Sequence, residues 1–172
     1  GKGRNRYVIT PRFAISCSTE QLIAAGRLHE QYPGTYIQTH LSENKDEIDS
    51  TLSLCPDCQD YLEVYERARL VTDRSIFGHC IHLSDSECRR LVEAGSVVAH
   101  CPTSNLFLGS GLFDMQQANR VGMQTVLATD IGAGTSFSML RTMGEAYKVQ
   151  QLGGYPMSVF ESLYKCTLGA AK

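Results

Sequence analysis

The chain has 172 residues, of which 42% are hydrophobic and 20% charged, so it carries enough apolar material for a buried core. A formal charge of -2 excludes the broad basic field that binding to nucleic acid or an anionic membrane would need. No segment approaches the roughly 20 consecutive apolar residues of a membrane span. We therefore expect a cytoplasmic protein, neither secreted nor membrane-inserted, whose partner is a small molecule.

The cysteine pattern supports a reducing compartment. Seven cysteines form no recognisable paired framework, and several lie in apolar segments, where free thiols behave as small hydrophobic groups. The single C-x-x-C runs from Cys55 to Cys58, a spacing that can hold zinc or support redox chemistry. No second pair accompanies it, so we interpret this stretch as a loop with two unpaired cysteines.

Repeated strand-then-helix units organise the chain. Runs rich in β-branched or aromatic residues cover residues 7–10, 36–40, 75–78, 96–100 and 125–129, and helical spacing follows each. Two capping boxes mark helix starts, Ser18 with Gln21 and Ser84 with Glu87, and Asn44 with Glu47 resembles one. Two further helices are predicted over residues 139–152 and 157–168. Strands joined by helices in this way are expected to be parallel.

Polar residues recur at the same end of these strands. In chain order they are Arg12, His40 with Glu43, His79, His100 and Asp130. Side chains gathered from the carboxyl ends of several strands are typical of a (β/α)8 barrel active site, although complete barrels need about 250 residues. We therefore predict an α/β fold, an incomplete TIM barrel with about five of eight βα units, forming a single domain over residues 1–172.

The stretch QTHLSEN, residues 38–44, carries the strongest local signal. His40 leaves the end of a strand and Glu43 follows three residues later, so both side chains can face one cavity. If His40 binds a metal, Glu43 lies close enough to move a proton between water and substrate without being a ligand. The alternative is a hydrogen-bonded core histidine beside a carboxylate favoured by a helix dipole.

Two further strand ends carry groups with chemical potential. Asp130 ends an apolar strand and can ligate a metal or accept a proton, although strand-end aspartates often cap helices or form Asx turns. His79 directly follows the predicted strand over residues 75–78, and its imidazole can stabilise negative charge that develops during a reaction. His82 is expected to be solvated.

The remaining strand ends suggest substrate binding and positioning. Arg12 and Phe13 place a guanidinium beside a ring, which suits a flat, oxygen-bearing heterocycle, but an exposed Arg beside a core Phe is an equal reading. His100 is followed by Pro102, which we expect to delay the next helix and leave a polar loop with a positioning role.

These motifs together resemble a known family. The stretches are TPRF (10–13), QTHLSEN (38–44), GHCIHLS (78–84), AHCPTSN (99–105) and ATDIGAG (128–134). As a set they resemble the adenosine deaminase-like and chlorohydrolase-like branch of the amidohydrolase superfamily. TPRF upstream of QTHLSEN narrows the resemblance to the guanine deaminases.

The resemblance implies a specific chemistry. It implies a mononuclear zinc site with His40 and Asp130 as two ligands, and hydrolysis of guanine at C2 to xanthine and ammonia. Glu43 would shuttle protons, His79 would lie near the attacking hydroxide, and Asp130 would also take the water's proton. Arg12 and Phe13 would contact the purine, and the full-length protein would be a homodimer.

The sequence also departs from that family. The family's first strand carries an H-x-H pair that completes the metal site, and no H-x-H occurs in these 172 residues. The flanking β-sandwich of the family is not represented either. We therefore expect this piece alone to be nearly inactive, since two protein ligands are too few for a durable zinc site. Open alternatives are a related hydrolase acting on a triazine, pterin or adenosine-like compound, and a non-catalytic barrel module.

Overall fold

Five parallel strands form the framework of the protein, whose computed structural model describes residue 3 and residues 5–171. The strands are β1 (Val8–Ile9), β2 (Tyr36–Leu41), β3 (Ser75–His79), β4 (Val97–His100) and β5 (Gln124–Leu127). Within the described residues they form one sheet in sequential order, and each neighbouring pair is parallel. The five predicted strands are therefore confirmed, with β1 shorter than expected, and the sheet is a five-stranded part of a (β/α)8 barrel.

Helices connect the strands and cover one face of the sheet. They are α1 (Thr19–Gln31), α2 (Lys45–Leu54), α3 (Tyr61–Arg67), α4 (Asp85–Glu93), α5 (Pro102–Phe107), α6 (Met115–Val121), α7 (Met139–Leu152), α8 (Val159–Cys166) and α9 (Leu168–Ala171). A short 3-10 helix, Ala14–Ser16, follows β1. The predicted helix over 139–152 is confirmed, whereas the one over 157–168 is shorter at both ends and covers Val159–Cys166. None of the described helices combines the length and apolarity that a bilayer crossing requires.

Helix capping largely follows the sequence. Asn44 and Ser84 form reciprocal capping boxes with the glutamates three residues later. Ser18 accepts a hydrogen bond from the backbone N–H of Gln21, but the exposed Gln21 side chain makes no reciprocal bond. The predicted box at Ser18 is therefore wrong, and α1 begins with a single cap.

Two loop predictions are corrected by the structure. Pro102 does not delay a helix but occupies the first turn of α5, where its missing N–H costs nothing because that position has no intrahelical partner. Cys55 and Cys58, predicted to be unpaired, are joined as a disulfide between α2 and α3. Their short loop brings the two Cα atoms 5.6 Å apart, within the range that a disulfide spans.

The core lies between the sheet and its helices. Ile37, Phe77 and Val98, on three neighbouring strands, are 0% exposed. Because side chains alternate along a strand, Gln38 and His40 point to the opposite face from Ile37. One face of the sheet therefore packs against the helices, and polar side chains project from the other face.

Candidate active site

Side chains from three strand ends meet at the carboxyl edge of the sheet. One ligand atom each from His40, His79 and Asp130 lies within 4.8 Å of the other two. The Nε2 atom of His79 is 3.9 Å from Oδ2 of Asp130 and 3.7 Å from Oε2 of Glu43. The structure therefore brings together the four residues that the sequence singled out for metal and proton chemistry.

Backbone conformation at these strand ends is unusual. Among the described residues, five non-glycine positions have positive φ, namely Ser42, Arg69, His79, Cys80 and Asp130. All but Arg69 lie in or next to the cluster. Left-handed conformations cost such residues about 1–3 kcal/mol, and they concentrate where the surrounding structure fixes a functional side chain. Sharp turns at the strand ends aim His79 and Asp130 toward each other.

His40 is oriented through its second ring nitrogen. Its Nδ1 lies 2.6 Å from the carbonyl oxygen of Arg12, and a carbonyl can only accept, so Nδ1 carries the proton. Nε2 is then left with the lone pair that a metal requires. The ring stacks on His79 with centroids 5.1 Å apart, so the two imidazoles lie side by side in the cluster.

His79 is held in the same manner by a side chain. Its Nδ1 lies 2.8 Å from Oδ1 of Asn105, a residue that is 1% exposed. Donation from Nδ1 leaves Nε2 facing Glu43 and Asp130. The sequence suggested a positioning role for the stretch after His100, and Asn105 is the residue in it that contacts this cluster.

Glu43 is not part of a helix. Helix α2 begins at Lys45 and is capped by Asn44, so Glu43 precedes the helix. The alternative interpretation of Glu43, as a carboxylate in the first turn stabilised by the helix dipole, is therefore wrong. The carboxylate instead accepts a hydrogen bond from the Ser110 hydroxyl at 3.0 Å through Oε1 and faces His79 through Oε2. Nothing in the sequence singled out Ser110.

Asp130 does not cap a helix, which was the alternative role suggested by its position at a strand end. The next helix, α7, is capped by Ser138. The loop after Asp130 folds back tightly, with the Gly134 N–H donating to the Asp130 carbonyl at 2.7 Å. A side chain at Gly134 would put its Cβ 1.7 Å from the Thr129 carbonyl oxygen, so only glycine fits. The Asp130 side chain remains 33% exposed and open to a ligand.

Arg12 and Phe13 border the cluster. The Phe13 ring centroid lies 5.7 Å from that of His40, and the exposed Arg12 guanidinium lies 5.0 Å from the Phe13 ring centroid. Phe13 is half-buried rather than a core residue. The pair therefore offers a cation and an aromatic edge beside the imidazoles, and its contact with a purine stays a prediction.

His82, in the turn after β3, and His100, at the end of β4, lie outside the cluster. His82, expected to be solvated, is partly buried and donates from Nε2 to the Ser110 carbonyl at 2.9 Å. The His82 N–H also donates to the Ser42 carbonyl at 3.1 Å, so the residue is held between that carbonyl and the segment after α5. His100 is 0% exposed and stacks on Phe113 with centroids 4.8 Å apart, so it belongs to the core.

A buried network of hydrogen bonds holds the backbone of Glu43 and His40 in place. Tyr61 donates to Oε1 of Glu47 at 2.8 Å, and Oε2 of Glu47 accepts from the Glu43 N–H at 2.9 Å. Tyr65 donates to the His40 carbonyl at 2.8 Å and accepts from the Ala14 N–H at 3.0 Å. Burial raises the pKa of both tyrosines, so both hydroxyls stay protonated and able to donate.

The sequence did not reveal this network. Tyr61 and Tyr65 are four residues apart on α3, so their hydroxyls reach the same point, 3.3 Å from each other. That spacing was the available signal, but it predicts only a shared helix face and not its partner.

A cavity of about 160 Å³ opens between the converging strand ends. It is lined by Thr10, Gln38, Thr39, His40, Ile76, Gly78, His79, Ala99, Cys101, Ala128, Thr129 and Asp130. Burial, followed by the nearby Asp130 charge, raises the pKa of Cys101 to about 12. The thiol therefore stays protonated near neutral pH and is not available as a thiolate ligand. The atoms of this cavity that suit a metal ion are the imidazole nitrogens of His40 and His79 and the carboxylate oxygens of Asp130.

Comparisons with known proteins point in one direction. The sequence model of the amidohydrolase family matches residues 1–172. The guanine deaminase of Escherichia coli (strain K12) is 52% identical over 170 residues, which cover 99% of this chain and 39% of that protein. The predicted resemblance to guanine deaminases is therefore confirmed, while the chain spans about two fifths of the length of such relatives.

Solved structures give the same result. The structure of E. coli guanine deaminase matches with a TM-score of 0.96 and 52% identity, covering 98% of this chain and 40% of that one. A guanine deaminase from C. acetobutylicum, solved with guanine bound in the active site, matches with a TM-score of 0.91 and 34% identity, covering 99% of this chain and 43% of that one.

Proposed function

Since this chain belongs to the amidohydrolase family, we propose that the protein containing it hydrolyses guanine to xanthine and ammonia. The observation that carries the proposal is the convergence of His40, His79, Asp130 and Glu43 at one edge of the sheet. The 52% identity to a guanine deaminase supports guanine as the substrate.

The donor set fits a zinc ion. Zinc binds imidazole nitrogen and carboxylate oxygen, and His40 and Asp130 offer one of each. The Arg12 carbonyl fixes the His40 ring so that Nε2 faces the site, as partners of metal-binding histidines commonly do. When bound, zinc would supply Lewis-acid activation of water near neutral pH. We assign His40 and Asp130 as two of its ligands.

Glu43 is assigned the proton transfers. In the hydrolysis, water loses one proton as its oxygen bonds to C2 of guanine, and a ring nitrogen gains one. The new hydroxyl then loses the second proton to become a carbonyl, the amine takes that proton up, and the C2–amine bond breaks to release ammonia. Oε2 of Glu43 lies 3.7 Å from Nε2 of His79, beside the cluster, where it can accept the first proton and release it again. Asp130 can share the first of these transfers.

His79 is assigned charge stabilisation. Its Nε2 lies within 4 Å of both carboxylates, so a protonated ring there would balance negative charge that develops during attack. Asn105 holds the ring in this orientation.

Arg12 and Phe13 are assigned to purine binding. A guanidinium can donate hydrogen bonds to the oxygen and nitrogen edge of guanine, and a ring edge can pack against its flat face. Their place beside His40 supports this assignment.

The direct test is a substrate panel with the purified full-length protein. Xanthine and ammonia release from guanine is compared with turnover of a pterin, an aminotriazine and adenosine at matched concentrations. We expect kcat/KM for guanine to exceed the others by at least about 100-fold, because a site built to hydrogen-bond its substrate discriminates strongly. Preference for any other compound would contradict guanine, and no turnover of any would favour a non-catalytic barrel.

The cytoplasmic location and the homodimer belong to the same proposal. Five of the seven cysteines are free, which supports a reducing compartment, whereas the Cys55–Cys58 disulfide does not. Sedimentation of the full-length protein tests the dimer, and a monomeric mass would contradict it.

A further inference from the structure

We propose that Ser110 is a positioning residue that fixes the carboxylate of Glu43 for proton transfer. The inference rests on the proposed function, because it assumes that Glu43 is the proton shuttle. Ser110 lies far from Glu43 in sequence but donates from its hydroxyl to Oε1 of Glu43 at 3.0 Å. The residue is 7% exposed, so water competes little for this hydrogen bond.

The hydrogen bond from Ser110 gives the two carboxylate oxygens of Glu43 different partners. Oε1 accepts from Ser110, while Oε2 lies 3.7 Å from Nε2 of His79 and faces the cluster. A glutamate side chain has several rotatable bonds, and a free one would sample orientations in which neither oxygen points inward. With Oε1 held, Oε2 is the oxygen left to exchange a proton with water or substrate.

The segment around Ser110 is itself anchored from two directions. The Ser110 N–H donates to the carbonyl of Asn105 at 2.8 Å, and His82 donates from Nε2 to the Ser110 carbonyl at 2.9 Å. Gly111 follows with φ of +132°, and a Cβ there would lie 3.0 Å from a methyl carbon of Ile81. Glycine therefore allows the chain to pass close to Ile81 and keeps the Ser110 hydroxyl directed at Glu43.

The same segment also orients His79. The Asn105 side chain accepts from Nδ1 of His79, and the Asn105 backbone accepts from Ser110. The stretch from Asn105 to Gly111 thus aligns the two residues assigned to proton transfer and charge stabilisation. Arg12 and Phe13 belong to a different segment, after β1, so loss of the Ser110 hydroxyl should impair turnover and leave guanine binding intact.

A double-mutant cycle in the full-length protein tests this inference. Ser110→Ala is combined with Glu43→Gln, and kcat and KM for guanine are measured for the unsubstituted protein, both single variants and the double variant. We expect Ser110→Ala to lower kcat roughly 10- to 100-fold, as loss of an orienting partner commonly does, with KM changed less than about twofold. In the Glu43→Gln background the same change should have no further effect, since the group that Ser110 positions is already lost.

Two control variants separate positioning from folding. Ser110→Thr keeps a hydroxyl and should retain most of kcat. Ser53→Ala removes an exposed serine hydroxyl that bonds only within its own helix, and it should match the unsubstituted protein. Zinc content should be unchanged in Ser110→Ala, because Ser110 contacts neither His40 nor Asp130.

The outcomes are distinct. Unchanged kcat in Ser110→Ala, or an equal loss in both backgrounds, would overturn the positioning role while leaving the proposed function in place. Full guanine turnover by Glu43→Gln would overturn the proton shuttle and the Ser110 inference together. Loss of kcat in Ser110→Thr equal to that in Ser110→Ala would also count against the hydroxyl.

Discussion

The ends of β2 and β3 differ from the end of β4, although each carries a histidine. His40 and His79 each bond through Nδ1 to an oxygen and present Nε2 to the shared cluster. His100 is fully buried, its Nδ1 has no hydrogen-bond partner in the described structure, and its ring packs on Phe113. A histidine at a strand end therefore becomes a candidate ligand only where a neighbouring oxygen orients it.

The pKa of His100 reflects this difference. Burial, with smaller contributions from the nearby His79 and Lys165 charges, lowers the pKa of His100 to about 3. The ring is therefore neutral near neutral pH, as a core residue should be. If the strand ends differ in function as they do in structure, substitutions at the ends of β2 and β3 should impair catalysis, and those at the end of β4 should affect stability.

Glu43→Gln should cause the largest loss. General acid–base catalysis contributes about 10²–10⁴-fold, so kcat for xanthine formation from guanine should fall by about that factor. Glu30→Gln, which changes an exposed glutamate paired with Arg69 on the surface, is the matched control and should retain kcat. A Glu43→Gln protein as active as this control would rule out the proton shuttle.

His79→Asn should lower kcat by about 10²–10³-fold, the range seen when a stabilising donor is removed. Zinc content should be retained, because His79 is assigned charge stabilisation and not metal binding. Metal analysis together with steady-state kinetics distinguishes the roles. If zinc were lost along with activity, His79 would join His40 and Asp130 as a ligand.

His100 should affect stability and its dependence on pH. Unfolded His100 binds a proton below about pH 6.5, whereas the folded form stays neutral until about pH 3. The unfolded state therefore binds more protons in this window, and the free energy of unfolding should fall by up to about 1.4 kcal/mol per pH unit as the pH drops from 6.5 to 3.

Denaturant titrations at several pH values measure this contribution. His100→Asn removes the titrating ring, so the free energy of unfolding of that variant should depend less steeply on pH. Identical pH slopes for the two proteins would contradict the buried neutral histidine.

Tyr65→Phe should have the smallest effect of the four changes. It removes the hydroxyl that donates to the His40 carbonyl, while the Ala14 N–H keeps its second acceptor, the Tyr61 hydroxyl at 3.3 Å. Loss of a buried hydrogen-bond partner costs about 1–3 kcal/mol. We expect that loss of unfolding free energy and less than about tenfold loss of kcat. Tyr32→Phe, at an exposed tyrosine, is the control, and equal stability of the two variants would argue against the buried network.

The sequence predicted the fold and the cluster better than the contacts that hold the cluster. Strand runs and capping boxes depend on local periodicity, and the carboxyl ends of parallel strands necessarily meet at one edge. That reasoning is sufficient to predict that His40, His79 and Asp130 lie close together, as they do in the structure.

Partners distant in sequence could not be predicted in this way. Ser110 and Glu43 are 67 positions apart, and Tyr61 reaches Glu47 from a helix that no sequence signal had assigned. His100 has the same strand-end position as His79 and both are buried, but His100 stacks on Phe113 whereas His79 faces two carboxylates. Side-chain hydrogen bonds of this kind depend on how helices settle on the sheet, which propensity and spacing do not determine.

Zinc content of the purified full-length protein most directly tests the contrast between the strand ends. His40→Asn and His100→Asn replace histidines at the carboxyl ends of β2 and β4, and both variants are compared with the unsubstituted protein by elemental analysis. His100→Asn should retain the full zinc content and His40→Asn should lose most of it, because His40 presents Nε2 to the cluster. Equal zinc content in the two variants would contradict a metal centre at the His40 end of the sheet.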